Sequence, residues 1–218
     1  MGEGEDVSPG STEKKWKGIE PLTKGMDCAV STVGKAHGIK ASGIDFVARY
    51  YPTGLKKSLT RQEAEGLKSA GLWIVSVFEL NPTESAYFAG GRTRGVEDGE
   101  KALESAKACG QPVGSVIYFT VDYDAGEDDL EAIQAYFEGV RSILMPHYLV
   151  GVYGSGRVCR AIQGAGLAHC SWLAMSRGWS GSEDYHDWSL CQTVEGCVKG
   201  IAEDGDVSRG NAGGWQPQ

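Results

Sequence analysis

The 218-residue chain carries 21 Lys and Arg against 29 Asp and Glu, a formal charge of -8, with 41% hydrophobic and 23% charged residues. That is the composition of a folded globular protein, which excludes disordered and collagen-like chains. The acidic balance, with no Lys/Arg cluster, argues against nucleic acid or an anionic membrane surface as partner. No apolar run approaches the ~18 residues of a membrane span, so no membrane insertion is expected.

Residues 1–20 are polar and aperiodic, with Pro9 and Gly10, and read as a flexible N-terminal segment ahead of one barrel over residues 21–218. Met1 to Lys17 lacks a hydrophobic core of the kind a secretory signal needs. The expectation is synthesis in the cytosol, with any action outside the membrane reached through a holin or a secretion machine.

From Gly25 onward, short apolar runs alternate with helical stretches. The runs are Gly25–Val30, Ile44–Tyr51, Leu72–Leu80, Ser115–Tyr123, Tyr148–Tyr153, Ser171–Ser176, Trp188–Val194 and Ile201–Val207. Their length and their Val, Ile, Phe, Tyr and Trp content predict eight strands. Little polar alternation points to burial on both faces, as in a parallel sheet. Thr60-x-x-Glu63 predicts a capping box opening a helix that ends near Gly71. Further helices are expected over about 95–109, 129–144 and 156–165, each closed by Gly or Pro. After Ser176 the helical pattern stops. The fold class is therefore α/β, a single TIM-like β/α barrel whose last three strands are helix-poor. An open doubly wound sheet is the alternative.

In such a barrel the chemistry sits at the C-terminal ends of the strands. Acids end or line four of the predicted strands: Asp27 on the first, Glu79 on the third, Asp122 and Asp124 on the fourth, and Asp204 and Asp206 on the eighth. Tyr118, Thr120, Asp122 and Asp124 share one parity and are expected to face inward. Crowded carboxyls raise one another's proton affinity, so one can donate a proton while its neighbour stays ionised, as glycoside cleavage requires. Arg49 and Tyr51 end the second strand, with Tyr153, Trp172 and Gln192 on later ones; their flat or hydrogen-bonding side chains suit a sugar.

Other chemistries fit less well. Gly154-Ser155-Gly156 fails the nucleophile-elbow pattern, because Tyr153 and Arg157 stand where it needs glycine. No phosphate loop is present. The four histidines and six cysteines show no metal-ligand spacing, so neither a metal nor an organic cofactor is expected. The cysteines read as buried free thiols, with a Cys191–Cys197 disulfide open but not required.

Met26-Asp27 on a first strand, "GIDFVARYY", "IYFTVDYD" and the closing "DGDVS" resemble the glycoside-hydrolase-like domain family catalogued as DUF1906, over about residues 25–208. That family is similar to the family 25 (GH25) lysozymes, barrel enzymes that cleave peptidoglycan between N-acetylmuramic acid and N-acetylglucosamine. The resemblance implies a muramidase-type site of Asp27, Asp122 with Asp124, and Asp206. Aspartate at 124 departs from the glutamate of the lysozymes, so either the cleft is tighter around Asp124 or Glu79 supplies the longer arm, and one of the two is the general acid. It also implies peptidoglycan or another glycan as partner, in a lysin or a delivered toxin, the latter with an immunity protein or inhibitor. A non-catalytic glycan-binding barrel that has lost its proton donor is the alternative.

Overall fold

The computed structural model describes residues 23–51, 57–210 and 212–218, apart from the side chains of residues 194, 195 and 197. The expected N-terminal segment, residues 1–20, and the Cys197 thiol lie outside these. Strands β1 (Thr23–Asp27), β2 (Phe46–Tyr51), β3 (Trp73–Phe78), β4 (Val116–Thr120), β5 (Leu149–Gly154), β6 (Cys170–Leu173), β7 (Leu190–Val198) and β8 (Ile201–Ser208) close into a barrel in chain order. Helices α1 (Ala36–Ala41), α2 (Arg61–Ser69), α3 (Ser85–Phe88), α4 (Gly91–Cys109), α5 (Leu130–Leu144) and α6 (Gly156–Gly164) lie between the first six strands. None separates β6, β7 and β8, as the fading helical pattern anticipates. Short α1 and α3 escape the sequence reading because each is too brief to show a period.

Alternation along each strand divides the core in two. Phe46, Ala48, Val75, Val77, Val116, Tyr118, Trp172 and Leu190 fill the barrel. Met26, Val47, Ile74, Phe78, Ile117, Phe119 and Val150 pack outward against the helices. The interior is tight enough to require glycine at two places. A Cβ on Gly25 would sit 2.1 Å from the Phe46 ring, and one on Gly151 would sit 2.5 Å from Tyr118. The C-terminal tail closes the base. Trp215 bridges Ile74 where β3 and β4 have not yet met, and Tyr118 donates to the Ala212 carbonyl at 2.8 Å.

Two sequence expectations change. The sheet is not wholly parallel: β8 runs antiparallel to both β7 and β1. Lys199 and Gly200 both take positive φ, 53° and 72°, which makes a two-residue hairpin. Such a turn can only join antiparallel strands. The Thr60 cap is present, its hydroxyl accepting from the Glu63 amide at 3.2 Å. The Glu63 carboxylate, however, does not return to Thr60. It turns to Arg49 (2.9 Å) and to the amide and hydroxyl of Thr32 (2.8 Å each).

Candidate active site

The parallel strands deliver their last residues to one mouth. Tyr50, Val77, Glu79, Thr120, Asp122, Tyr153, Trp172 and Gln192 line a cavity there of about 80 Å³. A second cavity, of about 270 Å³, shares the Tyr50 wall and is lined by Asp27, Cys28, Glu203 and Asp204 among others. The first holds a few waters at ~30 Å³ each, not a sugar ring.

A hydrogen-bonded chain joins the two cavities. Tyr50 donates to Asp27 Oδ1 at 2.7 Å, and Gln192 Nε2 donates to Asp27 Oδ2 at 2.8 Å. The Met175 amide donates to Gln192 Oε1 at 3.3 Å, which fixes which end of the Gln192 amide faces Asp27. Tyr153 lies 2.9 Å from Gln192 Oε1 and 3.3 Å from Asp122 Oδ1. Its single proton serves one of these acceptors at a time.

Burial is the leading cause of the acids' high proton affinity. It raises Asp27 to about 7, opposed by the bonds from Gln192 and Tyr50. It raises Asp122, opposed by Tyr153. It raises Glu79, where Lys57 opposes it and Asp122 adds to it. Among the described residues, none lining the first cavity is a cation; Lys57 Nζ stands 3.8 Å from Glu79 Oε1.

The structure thus brings Asp27, Glu79, Asp122, Tyr153 and Gln192 together, with Trp172 as a buried floor. Four other expected residues stand elsewhere. Arg49 and Tyr51 have the opposite parity from Tyr50 and point out of the barrel. Arg49 is fully buried against Glu63, and Tyr51 donates to Gln111 Oε1 at 3.0 Å. Neither can touch a ligand in the mouth. Asp124 lies past the end of β4, which stops at Thr120; it is exposed and accepts from the Ser180 amide at 2.7 Å. The inward alternation expected through 124 therefore reaches Asp122 and fails at Asp124. Asp206 pairs with Gly25, one layer below the mouth, and is 2% exposed. Its Oδ1 accepts from Trp172 Nε1 at 3.0 Å, while no partner among the described residues meets Oδ2. Burial, then Asp27, pushes its carboxyl well up. Because β8 runs backwards, Asp204 is the residue level with Asp27, and Gln192 Nε2 reaches its Oδ2 at 3.4 Å. Tyr50 and Asp204 are the site residues that the sequence reading did not select. Parity along "FVARYY" and the Lys-Gly turn are the signals that would have found them.

Residues 37–209 match the family described as the Rv2525c-like, glycoside hydrolase-like domain. The chain belongs to that family. The uncharacterized protein YbfG of Bacillus subtilis is 31% identical over 206 residues, 83% of this chain and 28% of YbfG. The chain thus spans under a third of that relative. Rv2525c of Mycobacterium tuberculosis, whose name describes it as a candidate peptidoglycan hydrolase, is 27% identical over 73% of this chain and 68% of its own. The crystal structure of Rv2525c, described as Tat-secreted, superposes with a TM-score of 0.77 at 25% identity, covering 88% of this chain and 98% of that one. The barrel of a family 25 glycosyl hydrolase from Bacillus anthracis matches with a TM-score of 0.54 at 17% identity, over 93% of this chain and 96% of that one. The family is thus glycoside-hydrolase-like, on the barrel of the family 25 lysozymes.

Proposed function

We propose that this barrel hydrolyses a glycosidic bond of peptidoglycan, in the manner of a muramidase. The observation that carries the reading is the group of Asp27, Glu79 and Asp122 at one barrel mouth, each with its proton affinity raised by burial, Asp27 and Asp122 being joined through Gln192 and Tyr153. The name of Rv2525c supports the choice of polymer. Glu79 is the proton donor, since Asp124 is turned away to Ser180. Asp122, which Tyr153 helps to keep ionised, stabilises positive charge at the anomeric carbon or orients the acetamido group. Asp27, held by Tyr50 and Gln192, positions water or substrate together with Asp204. Such an enzyme works beyond the membrane, as a lysin or a delivered toxin.

Mass spectrometry of purified peptidoglycan tests this. Wild type should release fragments with new reducing ends at muramic acid, and Glu79→Gln and Asp122→Asn should not. Fragments with peptide bonds cut instead would contradict it. The diversion of Asp124 favours one second reading, a glycan-binding barrel without turnover; wild type that binds peptidoglycan and releases nothing would establish that reading.

A further inference from the structure

Lys57 has no place in the chemistry above, yet its position is closely determined. Buried Arg49 donates to the Lys57 carbonyl at 3.0 Å and to the Cys28 carbonyl, while Glu63 holds Arg49 and Thr32. One guanidinium therefore anchors Lys57 and the residue after Asp27. The Lys57 ammonium stands 5.8 Å from the centre of the Tyr50 ring and 3.8 Å from Glu79 Oε1. Its side chain is 46% exposed and that of Glu79 is 22% exposed, so the ion pair is loose and its cation can be reached from solvent.

Every other charged group turned to the mouth by the described residues is acidic. Asp27 comes from β1, Glu79 follows β3, Asp122 follows β4, and Glu203 and Asp204 come from β8, with Asp206 one layer below; Tyr50 and Tyr153 add phenols from β2 and β5. Among the described residues, the cation open to an anionic ligand at this mouth is Lys57, and Glu79 is already using it.

We propose that Lys57 receives a carboxylate carried by the glycan, and that in turning from Glu79 to the ligand it leaves Glu79 to take up a proton. The proton comes from solvent and no covalent bond changes. The donor is then charged with its proton only when an acidic glycan is in place. This rests on the hydrolase reading for its purpose but not for its test. The carboxylate can belong to the sugar, as in the lactyl group of muramic acid, or to an attached peptide.

Titration calorimetry at pH 6, in two buffers of different ionisation enthalpy, separates these. The probes are N-acetylmuramic acid, N-acetylmuramoyl-L-alanyl-D-isoglutamine and neutral N-acetylglucosamine, none of which contains a glycosidic bond to cleave. At least one acidic probe should bind about fivefold more tightly than the neutral sugar, the upper range for an exposed ion pair, and with net proton uptake. Uptake with muramic acid assigns the anion to the sugar; uptake with the dipeptide probe alone assigns it to the peptide. Lys57→Gln should lose both preference and uptake, and Lys57→Arg should keep both. Glu79→Gln should keep the preference and lose the uptake. Equal binding of all three probes, binding of none, or uptake that survives Lys57→Gln would overturn the proposal. Absence of peptidoglycan turnover by wild type would bear on the hydrolase reading alone.

Discussion

Two sets of acids are equally hidden in this molecule and are treated in opposite ways. Glu63 and Asp98, on the outer side of the barrel wall, are 2% and 0% exposed; Asp27, at the mouth, is 4% exposed. Glu63 meets a guanidinium and the Thr32 amide and hydroxyl. Asp98 accepts from Tyr87 (2.7 Å), Tyr136 (3.1 Å) and Lys101 (3.0 Å). Among the described residues Asp27 meets only neutral donors, Tyr50 and Gln192. A buried acid answered by a cation holds the structure together. One answered by neutral groups keeps its proton and is available for chemistry. Burial alone does not distinguish the two; the countercharge does.

The largest effect expected is on rate. Glu79→Gln and Asp122→Asn should each lower peptidoglycan turnover by about 10²–10⁴-fold, with melting temperatures close to wild type. Asp124→Asn should leave turnover nearly unchanged, because its carboxylate faces Ser180. A large loss at Asp124 with none at Glu79 would reverse the assignment of the donor.

Next comes stability on the wall side. Glu63→Gln should cost about 3–5 kcal/mol in denaturant unfolding, since it strands the Arg49 guanidinium among carbonyls. A loss below about 1 kcal/mol would erase the contrast between wall and mouth.

A smaller, pH-dependent effect is expected from Asp27→Asn. The folded protein holds the Asp27 proton up to about 7, against 3.8 for the ordinary group. Between those values the unfolded chain has released a proton that the folded chain keeps. Wild type therefore loses stability from this residue as pH rises through that window, and the loss levels off above it. The stability of Asp27→Asn relative to wild type should climb from pH 4 to pH 7 and then stay flat. A relative stability that falls with pH would mean an ionised, stabilising Asp27.

The smallest effect is that of Tyr51→Phe. It removes one bond to Gln111 on the wall, so about 0.5–1.5 kcal/mol of stability should go, while glycan affinity stays at the wild-type value. A change in affinity would return Tyr51 to the site.

The barrel was legible because eight apolar runs and four capped helices carry their own periods, and the loss of helices after β6 follows from the loss of those periods. Asp27, Glu79 and Asp122 were legible as acids at strand ends. Arg49 and Tyr51 were misplaced because position at a strand end was weighed without parity; the inward residues of β2 are Phe46, Ala48 and Tyr50. Asp206 follows from the resemblance by strand position alone, which does not say which way β8 runs; on the antiparallel strand Asp204 is the residue level with Asp27. The fate of Asp124 was not readable, since it depends on where β4 stops and on a bond to Ser180, 56 residues away. The Arg49–Glu63 pair was hidden behind a local capping pattern that only half forms.

The central claim is that burial at the mouth raises the proton affinity of Asp27, Asp122 and Glu79, most fully at Asp27, which the described residues answer only with neutral groups. Side-chain carboxyl carbon NMR across a pH titration tests it directly. Asp27 should titrate at about 7, with Asp122 and Glu79 above the ordinary carboxylate range. Titration of all three at or below the ordinary range near 4 would contradict the account.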